Sequence, residues 1–221
     1  MPVWARVFQG TAGPVMSPCV TRVLNLNFHG IGAPTGRDFG EGERDFWATP
    51  EMLEATLDAT VGRSDLTLSF DDGNTTDVDV ALPALARRGL SSTFFIVPGW
   101  LGSPGHITEA DVRALAQSGM TIGNHGLAHR VWTELTPQEL SHEVTEGRRR
   151  LEQLTGAEIK TLAIPYGIYD DPVLSELREH GYQHVFTSDG GIADRAGWLQ
   201  PREHLRANHT QADLERLLES L

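Results

Sequence analysis

The chain has 221 residues, a formal net charge of −12 at pH 7, 39% hydrophobic residues and 22% charged residues. This length and composition are typical of one globular domain, and we expect a single domain over residues 1–221 with a poorly ordered end at 1–20. The acidic charge argues against a nucleic acid or an anionic membrane surface as partner and favours a substrate that is neutral or becomes cationic.

Cys19 is the only cysteine of the chain, which excludes an internal disulfide and a cysteine-based zinc cluster. The first twenty residues lack a basic start followed by an apolar stretch, and no apolar run approaches the ~20 residues of a membrane span. We therefore expect a cytoplasmic protein with no membrane partner.

Seven short, mostly apolar segments are predicted to form strands buried on both faces. They are residues 22–28, 66–70, 92–97, 120–123, 161–164, 184–187 and 199–202. Helical patterns lie between them, and N-terminal caps predict helix starts at Thr49, Thr108 and Thr136, the last helix running to about Thr155. This alternation predicts an α/β protein whose parallel sheet is open or closed into a barrel, with functional groups at the carboxyl ends of the strands.

Two adjacent carboxylates, Asp71 and Asp72, follow the predicted strand 66–70. Carboxylates this close repel each other and are costly to bury unless something compensates them. Because successive side chains of extended structure point in different directions, one carboxylate can hold a cation while the other faces a water bound to it. The alternative is an Asp-Asp-Gly turn that caps the next helix.

Two histidines four residues apart, His125 and His129, follow the predicted strand 120–123. In a helical turn or tight loop this spacing presents two nitrogens to one metal, although two surface histidines would have the same spacing. With one carboxylate they form a three-ligand set that leaves positions open for water, as in catalytic zinc sites. A third cluster, Pro165-Tyr166-Gly167, is either a plain turn or a place where a backbone N–H faces an oxyanion.

These clusters resemble the motifs of the polysaccharide deacetylases of the NodB-homology type, carbohydrate esterase family 4. The motif T-F-D-D-G is similar to SFDDG at 69–73, H-[S/T]-x-x-H to HGLAH at 125–129, and R-x-P-[Y/F] to AIPY at 163–166. The resemblance covers about residues 23–202 and implies a distorted (β/α) barrel of about seven parallel strands. It also implies that Asp72, His125 and His129 bind the metal, that Asp71 is the general base, and that the Tyr166 N–H binds the oxyanion.

The chain departs from this pattern at the third motif, where Ala163 replaces the arginine that braces the base, and at the second, where Gly126 replaces serine or threonine. We expect Arg202, at the end of the last predicted strand, to replace the missing arginine, because a base aspartate beside a metal needs its charge balanced. The alternative is a surface arginine.

No clear L-x-H near the C-terminus supplies the usual acid histidine, and the candidates are His29, His204 and His209. We favour His29, because it ends the first predicted strand and therefore lies on the same rim as the three clusters. Its segment also resembles the F/Y-H-x-[I/V] segment of exopolysaccharide deacetylases. The alternative is a histidine that hydrogen-bonds the loop 30–43.

The resemblance implies a metal-dependent hydrolase that removes N-acetyl (or O-acetyl) groups from an N-acetylglucosamine-containing saccharide, using metal-bound water and an aspartate base. We expect one divalent ion, Zn²⁺ in the first place, with Co²⁺ or Ni²⁺ as alternatives. The expected substrate-binding residues are Pro165, Tyr166, Trp100 and Trp132, and core packing is the alternative for the two tryptophans. Two rival functions are a metal-dependent C–N hydrolase of the same fold acting on a small ureide or imide, and an inactive carbohydrate-binding relative.

Overall fold

The structure, a computed structural model, describes residues 22–221, so the expectations for residues 1–20 and for Cys19 lie outside the described part. Its strands are β1 (Arg22–Phe28), β2 (Leu66–Asp72), β3 (Thr93–Ile96), β4 (Thr121–Asn124), β5 (Thr161–Ala163), β6 (His184–Thr187), β7 (Ala193–Asp194) and β8 (Leu199–His204). Its α-helices are α1 (Pro50–Thr60), α2 (Leu82–Arg88), α3 (Glu109–Gln117), α4 (Pro137–Thr155), α5 (Asp171–Glu179) and α6 (Gln211–Glu219). The predicted caps Thr49, Thr108 and Thr136 begin α1, α3 and α4, each accepting a backbone N–H of the first helical turn.

Seven parallel strands close into a barrel. Their order is β2-β3-β4-β5-β6-β8-β1, and β1 pairs with β2 to complete the ring. The two-residue strand β7 pairs antiparallel with the first residues of β1 and was not predicted, since so short a segment carries no periodic pattern. The expected (β/α) barrel of about seven parallel strands is confirmed.

Strand β2 continues two residues further than the sequence predicts. Asp71 and Asp72 are in register with Phe95 and Ile96 of β3. Both carboxylates therefore belong to the strand, and the alternative of an Asp-Asp-Gly turn is wrong. Their place at the carboxyl end of β2 follows from backbone pairing with β3. The local sequence around two acidic residues does not predict this pairing.

The barrel interior beside β1 is polar. Along β1, Asn25 and Asn27 alternate with leucines, and both asparagines are buried. Asn25 donates to Gln200 at 3.3 Å, and Asn27 donates to Asp71 at 3.1 Å. Since side chains alternate between the two faces of a strand, this pattern directs amides into the barrel and leucines towards the helices.

The outer face of the same strands is apolar. Phe28, Phe70 and Phe94 are in register on β1, β2 and β3, and their rings stack with centroids 5.1 Å and 4.9 Å apart. They belong to the large core cluster beneath the helices, with leucines such as Leu53 and Leu85. This rigid wall fixes the end of β2, where Asp71 and Asp72 project.

No helix within residues 22–221 is long and apolar enough to cross a membrane. The cytoplasmic location expected from the sequence stays a prediction.

Candidate metal centre and catalytic site

Three side chains that can bind a metal converge at the carboxyl ends of β2 and β4. Asp72 Oδ1 lies 3.6 Å from His125 Nε2 and 3.5 Å from His129 Nε2. The ligand atoms of the three residues all lie within 4.8 Å of one another. One carboxylate oxygen and two imidazole nitrogens are a donor set that suits Zn²⁺ with a position left open.

The two histidines of this cluster are in the neutral form that can bind a cation. Burial lowers the pKa of both His125 and His129 to about 4, so both imidazoles are neutral at pH 7. The His125 Nδ1–H donates to the Ala163 carbonyl at 2.9 Å, which leaves the Nε2 lone pair free towards Asp72. Asp72 Oδ1 is buried without a hydrogen-bond partner in the described part of the chain. A bound metal ion would satisfy these neighbouring oxygen and nitrogen atoms, which otherwise lack hydrogen-bond partners among residues 22–221.

Backbone strain is concentrated at this site. Within residues 22–221, the non-glycine residues with positive φ are Asp72 at 77°, His129 at 55° and Tyr166 at 59°. A side chain in this region is disfavoured, and such conformations persist where the surrounding structure imposes them, often at functional sites. The three strained residues lie at or after the carboxyl ends of three different strands, β2, β4 and β5, and all three carry expected site functions.

Asp71 is held by Arg202 inside the barrel. Arg202 Nη1 and Nη2 donate to the two Asp71 oxygens at 2.7 Å and 2.8 Å, and both residues are only 1% exposed. Burial by itself would raise the pKa of Asp71, but Arg202 and His125 outweigh it and hold this pKa well below its usual range. Asp71 is therefore ionised, and its Oδ2 lies 3.8 Å from His125 Nε2. Arg202 lies beside Asp71, as the sequence analysis expected.

Removing this arginine is expected to destabilise the fold. Arg202→Met should cost about 3–5 kcal/mol of the free energy of unfolding, because Asp71 would stay buried without its partner. Urea denaturation measures the loss. As a matched control, Arg130→Met removes an exposed pair with Glu139 at 3.1 Å and should cost about 0–1 kcal/mol. An Arg202→Met loss as small as the control would contradict a strong Asp71–Arg202 interaction.

Tyr166 lies in a 3₁₀ turn, Pro165–Gly167, after β5. The two hydrogen bonds of the turn are donated by Gly167 and Ile168, so the Tyr166 N–H is not used by them. Tyr166 is 58% exposed, and the centroid of its ring lies 4.4 Å from that of His129. Pro165 is buried in this turn, which leaves little of its surface for a substrate, and its expected part in substrate binding stays a prediction.

The two tryptophans expected near the substrate differ in burial. Trp100 is half-buried at the rim, with its ring 5.0 Å from both His129 and His106. Trp132 is 1% exposed and packs in the smaller core cluster with Leu140. A ring buried on both faces cannot stack on a sugar, so the expectation for Trp132 is wrong and core packing is correct.

The candidate acid histidines are placed differently. His29 lies on the rim, with its ring 5.2 Å from His204 and 5.1 Å from Phe46. His204 Nδ1 accepts from Asn27 at 3.2 Å, and burial lowers the pKa of His204 to about 2, so it stays neutral. His209 accepts a backbone hydrogen bond in the exposed turn before α6 and is not part of this group. The structure therefore brings together His29 and His204.

Two residues that organise the site are absent from the sequence analysis. Asn27 donates to Asp71 and accepts from Arg202 at 2.9 Å, which joins these two residues a second time. Its signal is the alternation of Asn25 and Asn27 with leucines in an otherwise apolar strand. Glu143, on α4, is 2% exposed, and its signal is its spacing: it lies three residues after Leu140 and four before Gly147, on the buried face of the helix.

The sequence profile described as polysaccharide deacetylase matches residues 58–185. This match includes more than half of the chain and both strand ends that carry the candidate metal ligands. The chain belongs to the polysaccharide deacetylase family.

Two curated relatives of this deacetylase family member share between a quarter and a third of the aligned residues with it. YxkH of Bacillus subtilis is 28% identical over 143 residues, which are 65% of this chain and 51% of YxkH. Peptidoglycan-N-acetylmuramic acid deacetylase PdaA of the same organism is 27% identical over 147 residues, covering 62% of this chain and 53% of PdaA. The chain thus spans about half the length of these curated relatives. The solved structure of the Streptococcus pyogenes deacetylase PplD matches with a TM-score of 0.76 and 19% identity, covers 89% of this chain and 97% of that chain, and supports the fold.

Proposed function

We propose that this chain removes N-acetyl or O-acetyl groups from a saccharide that contains N-acetylglucosamine. The observation that carries the proposal is the ionised Asp71, braced by Arg202, next to the unpaired donor set of Asp72, His125 and His129. A positioned carboxylate can take a proton from an attacking water, and the neighbouring donors suit the cation that would activate it.

Asp72, His125 and His129 would hold one divalent ion. Their mixed nitrogen and oxygen donors favour Zn²⁺, with Co²⁺ and Ni²⁺ as alternatives, over the all-oxygen sites of Mg²⁺ and Ca²⁺. Such an ion supplies Lewis acidity and lowers the pKa of a bound water to about 7.

The residues of the chain divide the proton transfers among them. Asp71 accepts a proton from the water that attacks the acetyl carbonyl, and Arg202 keeps Asp71 ionised. The Tyr166 N–H donates to the oxyanion that develops on the carbonyl oxygen. His29 gives a proton to the departing amine as the C–N bond breaks, so the products are acetate and an amino sugar.

The rim of the site suits a sugar ring. The rings of Tyr166 and Trp100 both pack against His129, with centroids 4.4 Å and 5.0 Å from its ring, and Tyr166 is largely exposed. Exposed aromatic faces are suited to stacking on the apolar face of a pyranose. The product amine becomes cationic at neutral pH, which the formal charge of −12 would favour.

A substrate panel tests the proposal. The protein is stripped with a chelator, reloaded with Zn²⁺, Co²⁺ or Ni²⁺, and assayed for acetate release from chitin oligosaccharides, peptidoglycan fragments and O-acetylated saccharides. Cyclic ureides and imides form a second arm. Metal-dependent acetate release is the expected result; turnover of the small amides alone would support the C–N hydrolase alternative. Saccharide binding without metal-dependent hydrolysis would support an inactive binding protein.

His29→Ala is expected to lower turnover by about 10²-fold, the lower end for a general acid, while the metal content stays unchanged. His209→Ala is the control, because His209 lies in an exposed turn, and it should keep normal turnover. Steady-state rates, with the metal content measured for each variant, test whether His29 is the acid. Normal turnover in His29→Ala together with a collapse in His204→Ala or His209→Ala would identify a different acid.

A further inference from the structure

A buried carboxylate on α4 reaches the loop between the two candidate metal-binding histidines. Glu143 Oε2 accepts the backbone N–H of Leu127 and of Ala128, each at 3.0 Å. Glu143 is 2% exposed and makes no ion pair with a basic side chain in the part of the chain that the structure describes. Two convergent backbone N–H groups are therefore the main partners of this buried carboxylate.

Glycines let the helix and the loop approach each other closely. Gly147 lies one turn after Glu143 on α4, and a Cβ at Gly147 would lie 3.1 Å from the Leu127 backbone nitrogen. A Cβ at Gly126 would lie 3.1 Å from Glu143 Oε2, and Gly126 has a φ of +76°. Any side chain at either position would push the carboxylate and the loop apart.

The loop is also held by a residue of the turn that follows β3. The Gly99 N–H donates to the Leu127 carbonyl at 2.8 Å, and a Cβ at Gly99 would clash with the same oxygen. The backbone of Leu127 is thus held at its N–H by Glu143 and at its carbonyl by Gly99. His129, two residues later, adopts its strained φ of 55° at the end of this clamped segment.

We infer that Glu143 is a positioning residue that sets the spacing of His125 and His129 for metal binding. The inference rests on the metal site of the proposed function. Without the carboxylate, the Leu127 and Ala128 N–H groups lose their common acceptor, and the loop can relax out of the strained His129 conformation. Outer partners of this kind change metal affinity through the orientation of the ligands, without touching the ion.

Zinc affinity measured by competition with a chromogenic chelator tests this inference without any substrate. Glu143→Ala is expected to weaken zinc binding by about 10–100-fold. Glu143→Asp withdraws the carboxylate by one methylene and should weaken binding by at least about 10-fold. Glu143→Gln keeps an oxygen that can accept both N–H groups, so its loss should be smaller than that of either other variant.

Glu146→Ala is the matched control, because it removes a carboxylate from the same helix whose partner is Arg149 on the surface. It should bind zinc like the wild type. Wild-type affinity in Glu143→Asp, or equal losses in Glu143→Gln and Glu143→Ala, would overturn the positioning role. Thermal unfolding of the metal-free variants separates this role from a purely structural one, which would lower the melting temperature and leave zinc affinity unchanged. If Glu143→Ala does not fold, the Asp and Gln variants still decide; a wild-type protein that binds no zinc would instead contradict the metal site itself.

Discussion

His125→Ala is expected to reduce bound zinc from about one ion per chain to less than about a tenth, because two remaining ligands do not make a stable site. The variant removes one of the two neutral imidazoles that face Asp72. It also leaves the Ala163 carbonyl without its donor, at a cost of about 1–3 kcal/mol, which the fold should tolerate. Metal content after dialysis, measured by atomic absorption, checks the loss, and circular dichroism checks the fold.

His142→Ala is the control for this variant, because His142 is an exposed histidine on α4. It changes the histidine count equally and should keep full metal content. A folded His125→Ala protein with wild-type metal content would rule out His125 as a ligand.

Asp71→Asn is expected to keep the metal and to lower turnover by about 10²–10⁴-fold, because an amide cannot accept the proton of the attacking water. The substitution preserves the size of the side chain. It also places a neutral group against the Arg202 guanidinium, so the unfolding free energy should be measured alongside the rate.

Asp72→Asn is the informative comparison for Asp71→Asn. It alters the carboxylate whose Oδ1 lies 3.6 Å and 3.5 Å from the Nε2 atoms of His125 and His129, and it should lose metal as well as turnover. If Asp71→Asn loses the metal while Asp72→Asn retains it, the roles of the two neighbouring carboxylates are exchanged.

The sequence predicts the parts of this protein that depend on short separations. The strands and capped helices follow from local patterns of apolar residues and from cap residues, and the alternation of the two element types predicts a parallel sheet that is open or closed. The choice of a barrel comes from the resemblance of the motifs to those of the deacetylases. The Asp-Asp pair and the two histidines are recognised because each motif occupies five consecutive residues or fewer. The two motifs come together in space because the carboxyl ends of parallel strands lie at the same edge of the sheet.

The pairing of Arg202 with Asp71 spans 131 positions, and the sequence supports it only as an argument about charge balance. The barrel brings the two residues together, because β8 and β2 are both neighbours of β1. Polar side chains from all three strands therefore share the barrel interior. The burial of Trp132 and of Pro165 likewise depends on which elements cover them, a property that no local pattern contains.

The sequence by itself therefore determines the order of the elements, a parallel sheet and the residues that can carry the chemistry, because these depend on local periodicity and on motifs. The tertiary structure alone decides which partners hold them in place: Arg202 and Asn27 for Asp71, the Ala163 carbonyl for His125, and Glu143 for the loop between the two histidines. The physical reason is that hydrogen bonds act over about 3 Å in space whatever the separation along the chain, and only the closed barrel brings these groups within that range.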